Sequence, residues 1–206
     1  MADPDPAADR PASAAALRRA ATRERLRTAA LELFATRRLA DVAVEELLSA
    51  ADVSRATFYA HFDGKNALVE ALVRELWALG DAAALAVCAL PEWSPAALRG
   101  FLRARADGEW AQAHELALAV GEAALADPDG WRERVDALIA RLAAADPRWR
   151  ALGEEHARLF VLQLEELFAQ RVIWGAGDER ALELSARVCA ATLNPPPAAA
   201  AAGARG

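Results

Sequence analysis

Apolar residues recur along most of this chain at helical spacing, in segments separated by short polar or proline-containing breaks. From Ser13 to Thr36, the positions Leu26, Ala29, Ala30, Leu33 and Phe34 trace one face of a predicted helix. Two short helices are predicted next, over Val44–Ala50 and Ser54–Ala60, with only Ala51-Asp52-Val53 between them. Ser54 has the side chain of an N-cap. Val44, Leu47, Ala51, Val53 and Phe58 supply the apolar surface that packs the pair on the first helix. A longer helix is predicted from Gly64-Lys65 toward Leu90, on the stripe Leu68, Leu72, Leu76 and Leu79. Ser94-Pro95 reads as a helix start with proline in the first turn. Further helices are predicted over 95–106, 108–126, 130–145, 153–174 and 178–193. Breaks fall at Pro91, Asp107-Gly108, Asp127-Pro128, Asp146-Pro147 and Gly175-Ala176-Gly177.

Composition supports the same reading. Ala and Leu dominate and β-branched residues are sparse, which favours helices over sheets, so the predicted fold class is all-α. Residues 1–12, rich in Pro, Asp and Ala, and the tail 194–206 lack core-forming side chains and are expected to be disordered. Between them, a small N-terminal module over 13–64 and a larger helical module over 65–193 are expected.

Charge separates these modules. Residues 10–74 carry 11 basic and 8 acidic side chains, whereas residues 75–206 carry 13 basic and 19 acidic ones. The net charge of −6 argues against indiscriminate coating of nucleic acid, but the basic N-terminal part suits contact with phosphate. Five arginines, Arg18, Arg19, Arg23, Arg25 and Arg27, lie early in the first helix, as a solvated face or as phosphate contacts. The three-residue interval between the two short helices adds to this. It lets them cross steeply, so that the second can enter a major groove while the first braces it.

Other chemistry is thinly represented. Cys88 and Cys189 have neither CxxC nor Cys/His spacing, so no disulfide framework or zinc site is suggested. Of the three histidines, His114 lacks the second histidine four positions on that a zinc-protease helix carries, and there is no glycine-rich phosphate loop or GxSxG. No catalytic residue, metal or cofactor is predicted, and an enzyme is not expected. With no apolar run of membrane-spanning length and no leader pattern, a cytoplasmic protein without a membrane partner is expected.

The stretch from Thr22 to Leu72 resembles the DNA-binding domain of the TetR family of transcription regulators. Most telling is Val53-Ser54-Arg55-Ala56-Thr57-Phe58-Tyr59-Ala60-His61-Phe62, followed by Lys65 and Leu68. The run Arg38-Leu39-Ala40-Asp41, with the residues after Ser54, is similar to the branch containing the mycobacterial regulator EthR. The resemblance implies that Ser54, Arg55 and Ala56 reach base edges. An arginine can bond guanine O6 and N7 together, and an alanine methyl allows close approach. Thr57, Tyr59, His61 and Lys65 match phosphate-clamping positions of the family. Three departures stand out: Arg38 replaces a usual Gly, Val42-Ala43 replaces a Thr pair that caps the second helix, and Asp52 replaces a turn Gly. Asp52 tolerates a left-handed backbone better than most residues, and Asp41 is expected to cap in place of the missing Thr.

In the larger module, Trp93, Trp110, Trp131, Trp149 and Trp174, with Phe101, Phe160 and Phe168, suit either a packed core or a lipophilic pocket between helices. Phe101, Trp110, Trp131 and Phe160 are the expected walls of such a pocket, with Gln163 as its hydrogen-bonding group. The last two predicted helices are apolar over more than one face, beyond what a single core requires. The family resemblance implies a two-fold four-helix dimer interface there, with Leu167, Leu182, Ala186 and Cys189 as its expected residues. The combined expectation is a homodimeric, ligand-responsive regulator. It would be a repressor that binds palindromic double-stranded operator DNA and is released by a small apolar effector. The alternative is a helical small-molecule-binding or scaffold protein whose motif no longer binds DNA.

Overall fold

The computed structural model describes residues 13–108, 110, 113–174 and 179–196, with the backbone alone for 171–174. The disorder expected over 1–12, the break at 175–177 and nearly all of the expected disordered tail lie outside the described residues. Every regular element within them is helical. Compact packing divides the chain into two units, with the division between Glu70 and Ala71.

The first unit contains α1 (Ala14–Phe34), α2 (Val44–Ala51), α3 (Arg55–Tyr59) and the start of α4 (Lys65–Ala86). Ser13 caps α1 by accepting from the Ala16 N–H at 3.2 Å. Leu26, Ala29, Ala30, Leu31 and Phe34 are the buried face of α1, so Leu31 takes the core position expected of Leu33. Leu47 and Ala51 of α2, together with Phe58 of α3, complete this small core with Val42, Phe62 and Leu68. A short 3-10 turn, Leu39–Asp41, precedes α2 and had no helical period to announce it. Asp41 does not cap α2. Ala43 is the N-cap residue and has no capping side chain, and Glu46 instead reaches back to accept from the Ala43 N–H at 2.9 Å.

The second unit holds the rest of α4, then α5 (Pro95–Asp107), α6 (His114–Leu125), α7 (Pro128–Ala145), α8 (Pro147–Leu152), α9 (Glu154–Trp174) and α10 (Glu179–Leu193). Each of α5, α7 and α8 opens on the same device, a Ser or Asp cap followed by proline: Ser94-Pro95, Asp127-Pro128 and Asp146-Pro147. Asp146-Pro147, expected only as a break, therefore starts a six-residue helix. Its Arg148 donates to the carbonyls of Cys88, Leu90 and Pro91 at 3.3, 2.8 and 3.3 Å, satisfying acceptors left over just beyond α4. The guanidinium also lies 4.4 Å from the Trp93 ring centroid and pairs with Asp146, whose carboxyl it holds below the usual range.

α5 packs along α10, and α9 packs on α6, α7, α8 and α10. Ala186, Cys189, Ala190 and Leu193 are the buried face of α10. Small side chains there allow the close approach of α5, and Arg99–Glu183 and Arg103–Glu179 ion pairs flank it. Ala186 and Cys189 are also the residues expected at a dimer interface. They are 0% and 1% exposed within one chain, because the i, i+3 stripe they share closes the core of the unit. Burial also pushes the Cys189 thiol up to about 12.

Candidate functional site

The geometry of the first unit is set at the turn between α2 and α3. Asp52 ends α2 with φ 50° and ψ 54°, the left-handed conformation that its sequence position demands of a non-glycine residue. Arg25 of α1 donates to the Asp52 carbonyl at 3.1 Å, and its guanidinium stands 3.8 Å from the Asp52 carboxylate. The turn is thus tied back to the first helix. Two more arginines of α1 do similar work. Arg19 donates to the Ala60 carbonyl at 3.3 Å, and Arg23 lies 4.8 Å from the centroid of the Phe62 ring. These residues brace the helix pair.

Ser54 caps α3, its hydroxyl accepting from the Thr57 N–H at 3.1 Å and sharing a 2.8 Å hydrogen bond with the Thr57 hydroxyl. Phe58 is fully buried and meets the Tyr59 ring edge-on, with 5.4 Å between centroids. That anchor leaves Ser54, Arg55, Ala56 and Tyr59 exposed, while Thr57 is half-buried. Arg55 forms an exposed ion pair with Glu45 of α2. His61 is half-buried, and its Nδ1 is buried without a hydrogen-bond partner among the described residues. Burial, reinforced by Arg19 and Arg23, lowers its pKa, so the imidazole is held neutral. Lys65, at the start of α4, donates to the Leu39 and Val42 carbonyls at 2.6 and 2.8 Å. Two of its three ammonium hydrogens therefore hold the 3-10 turn, a use that spacing alone gave no sign of.

Residues 26–72 match the model of the bacterial regulatory proteins of the tetR family. The N-terminal module is a tetR-type DNA-binding domain. Its α2 and α3 are the helix-turn-helix, and the chain thereby carries the DNA-binding domain of a family of transcription regulators, followed by a helical domain. A comparison of the sequence with curated proteins finds no match.

The helical domain contains an apolar cavity of about 490 Å³. Leu76 and Gly80 of α4, Gly121 of α6, Leu138 of α7 and Leu164 of α9 show the range of elements that enclose it. Of the residues expected on its wall, Trp110 and Trp131 are there, and Phe168 joins them, 5.6 Å edge-on from Trp110. Phe101, Phe160 and Gln163 are not on this wall. Phe160 is fully buried and packs at a tilt on Trp149, 5.4 Å between centroids, which in turn meets Trp93 at 4.9 Å, so these three rings are core. Phe101 lies in the buried face of α5 with the Arg105 guanidinium 5.6 Å from its ring centroid. Gln163 donates to the Thr192 hydroxyl at 2.8 Å, linking α9 to α10.

Beside the exposed Glu122 on the cavity wall, four charged residues in this region form one network. Arg134 pairs with Asp81 at 2.8 Å and with Glu165 at 2.5 Å, Arg141 pairs with Asp81 at 3.1 Å, and the Trp131 indole donates to Glu165 at 3.0 Å. Sequence reasoning did not identify this network, because Asp81, Arg134 and Glu165 are far apart in the chain and no motif joins them.

Leu167 and Leu182, the remaining expected interface residues, are half-buried. Leu167 and Leu182 line a smaller cavity of about 110 Å³ with Leu102, Ala106 and Trp110 of the same chain. The surface of α9 and α10 carries other apolar side chains: Leu159 and Leu162 on α9, Leu184 and Val188 on α10, 50%, 40%, 59% and 44% exposed. Leu159 and Val188 each lie four residues from one partner of the Gln163–Thr192 bond, which brings the two stripes together. The side chains of Val172, Ile173 and Trp174, at the end of α9, lie outside the described residues.

Proposed function

We propose that the protein is a dimeric, ligand-responsive repressor, in which the helix-turn-helix reads a palindromic operator and a small apolar effector in the 490 Å³ cavity releases it. The observation that carries this reading is the presence, in one chain, of a family-matched reading helix with four exposed residues and an apolar cavity of ligand size. Arg55 reads guanine, Ser54 and Ala56 approach the base edges, and Thr57, Tyr59, His61 and Lys65 meet the backbone. Lys65 has one ammonium hydrogen left for a phosphate after binding two carbonyls, and His61 acts as a neutral donor. The likeness of Arg38-Leu39-Ala40-Asp41 to the EthR-like branch supports the same type of regulator.

The dimer forms through the exposed Leu159, Leu162, Leu184 and Val188 together with the half-buried Leu167 and Leu182, while Ala186 and Cys189 are buried beneath them in the same chain. The effector signal travels along α4. Its Lys65 end grips the turn before the helix-turn-helix, and its Leu76, Trp77, Gly80 and Ala84 line the cavity. Among the described residues no helix is long and apolar enough to cross a membrane, in keeping with a cytoplasmic regulator. The reading is tested by titrating a duplex from upstream of the protein's own gene with the purified chain. A shift that a scrambled duplex of equal length does not give supports it, and equal binding of both at physiological salt refutes it.

A further inference from the structure

Trp110 is 1% exposed, yet its indole N–H has no hydrogen-bond partner among the described residues. A buried N–H without an acceptor is costly, on the order of 1–3 kcal/mol, and such groups in folded proteins are few. This one belongs to a residue that lines the apolar cavity. Of the other polar groups on that wall, Glu122 is exposed to solvent and the less exposed ones are committed. The Trp131 indole is bound to Glu165, and Arg134, 10% exposed, is shared between Glu165 and Asp81. Arg134 and Glu165 of the wall pair with each other, Asp81 and Arg141 extend the network away from it, and Glu122 is exposed, so the less exposed part of the wall carries no surplus charge for an ionic ligand to pair with.

From this, and resting on the reading of the cavity as the effector site, we infer that the effector is an uncharged lipophilic molecule with a hydrogen-bond acceptor, a carbonyl or ether oxygen, that takes the Trp110 indole N–H. The cavity holds on the order of 15 non-hydrogen atoms if each takes about 30 Å³, the share of a water in the liquid. An anion entering it would meet Glu165 as well as Arg134, and a cation would meet Arg134 as well as Glu165. Either would also give up its hydration in a largely apolar space.

The test uses the full chain and three ten-carbon probes, decan-2-one, decanoate and decylammonium, titrated by calorimetry at pH 7.5. Decan-2-one is expected to bind, with each ion weaker by at least about a hundredfold. Trp110→Phe keeps an aromatic ring and removes the donor, so it should weaken decan-2-one about three- to tenfold. Gly121→Phe places a ring in the cavity, since a Cβ at Gly121 has nothing within 4 Å, and should abolish binding. No binding of decan-2-one, tighter binding of either ion, or an unchanged affinity in Trp110→Phe overturns the inference. If Trp110→Phe is silent while Gly121→Phe abolishes binding, the cavity reading stands without this one. If Gly121→Phe leaves binding intact, the cavity reading itself fails.

Discussion

Arg55 is held by Glu45 in the free protein, and that arrangement constrains how it can act on DNA. An exposed ion pair is worth about 0–1 kcal/mol, so it yields readily to a guanine edge. Arg55→Ala is expected to weaken operator binding by ~1–3 kcal/mol and to relax base preference at one position in each half-site. Loss of affinity by the same factor on every sequence would assign Arg55 to phosphate instead. Glu45→Gln frees the guanidinium and removes a negative charge near the backbone. It should strengthen non-specific binding more than specific binding, narrowing the ratio between them. At His61, burial favours the neutral imidazole in the fold, whereas an unfolded histidine titrates near pH 6.5. Between the folded and unfolded values the unfolded chain takes up the extra proton, so stability should fall as pH drops through about 6.5 and level off below the folded pKa. Urea titrations from pH 7.5 to 5 check this, with His61→Gln expected to show a shallower decline. Identical slopes would mean that the imidazole is not held neutral.

At the scale of elements, the helices were legible wherever a stripe of apolar residues persisted for several turns. α1, α4, α5 and α7 lie within a few residues of where periodicity put them. Short elements fared according to their caps. Ser54 announced α3, whereas Asp146-Pro147 announced α8 but reads equally well as a break. The motif also gave the left-handed turn at Asp52, because no other residue between the two helices could adopt it cheaply. Helix pairing was not legible. Ala186 and Cys189 sit on an apolar stripe that either α5 or a second chain could cover, and one chain's sequence does not distinguish them. The structure assigns them to α5, which leads to opposite expectations for two kinds of substitution. Cys189→Asp should unfold the second unit, since an unpaired buried charge is strongly destabilising. Leu162→Glu and Leu184→Glu should leave the fold intact and give monomers. Sedimentation together with circular dichroism separates these outcomes. Folded dimers in both Leu variants would remove the proposed interface.

For the molecule as a whole, the sequence showed a basic reading module and an acidic helical one, and the structure adds what each contains. Arginines of α1 lock the helix-turn-helix, and the helical domain holds a cavity in whose wall Arg134 and Glu165 pair with each other. Most of the cavity wall was not foreseeable. Gly80, Gly121 and Leu164 have no distinguishing chemistry, and only the packing of four helices brings them together. The claim that joins the two units is that this chain reads DNA as a symmetric pair. Selection from a random duplex pool with the purified chain tests it most directly. The account predicts enrichment of a two-fold symmetric site, with half-sites separated by about 34–36 Å or a multiple of one helical turn, and a guanine in each half-site lost from the consensus of Arg55→Ala. A pool that returns unenriched, or a single unpaired half-site bound by a monomer, would contradict it.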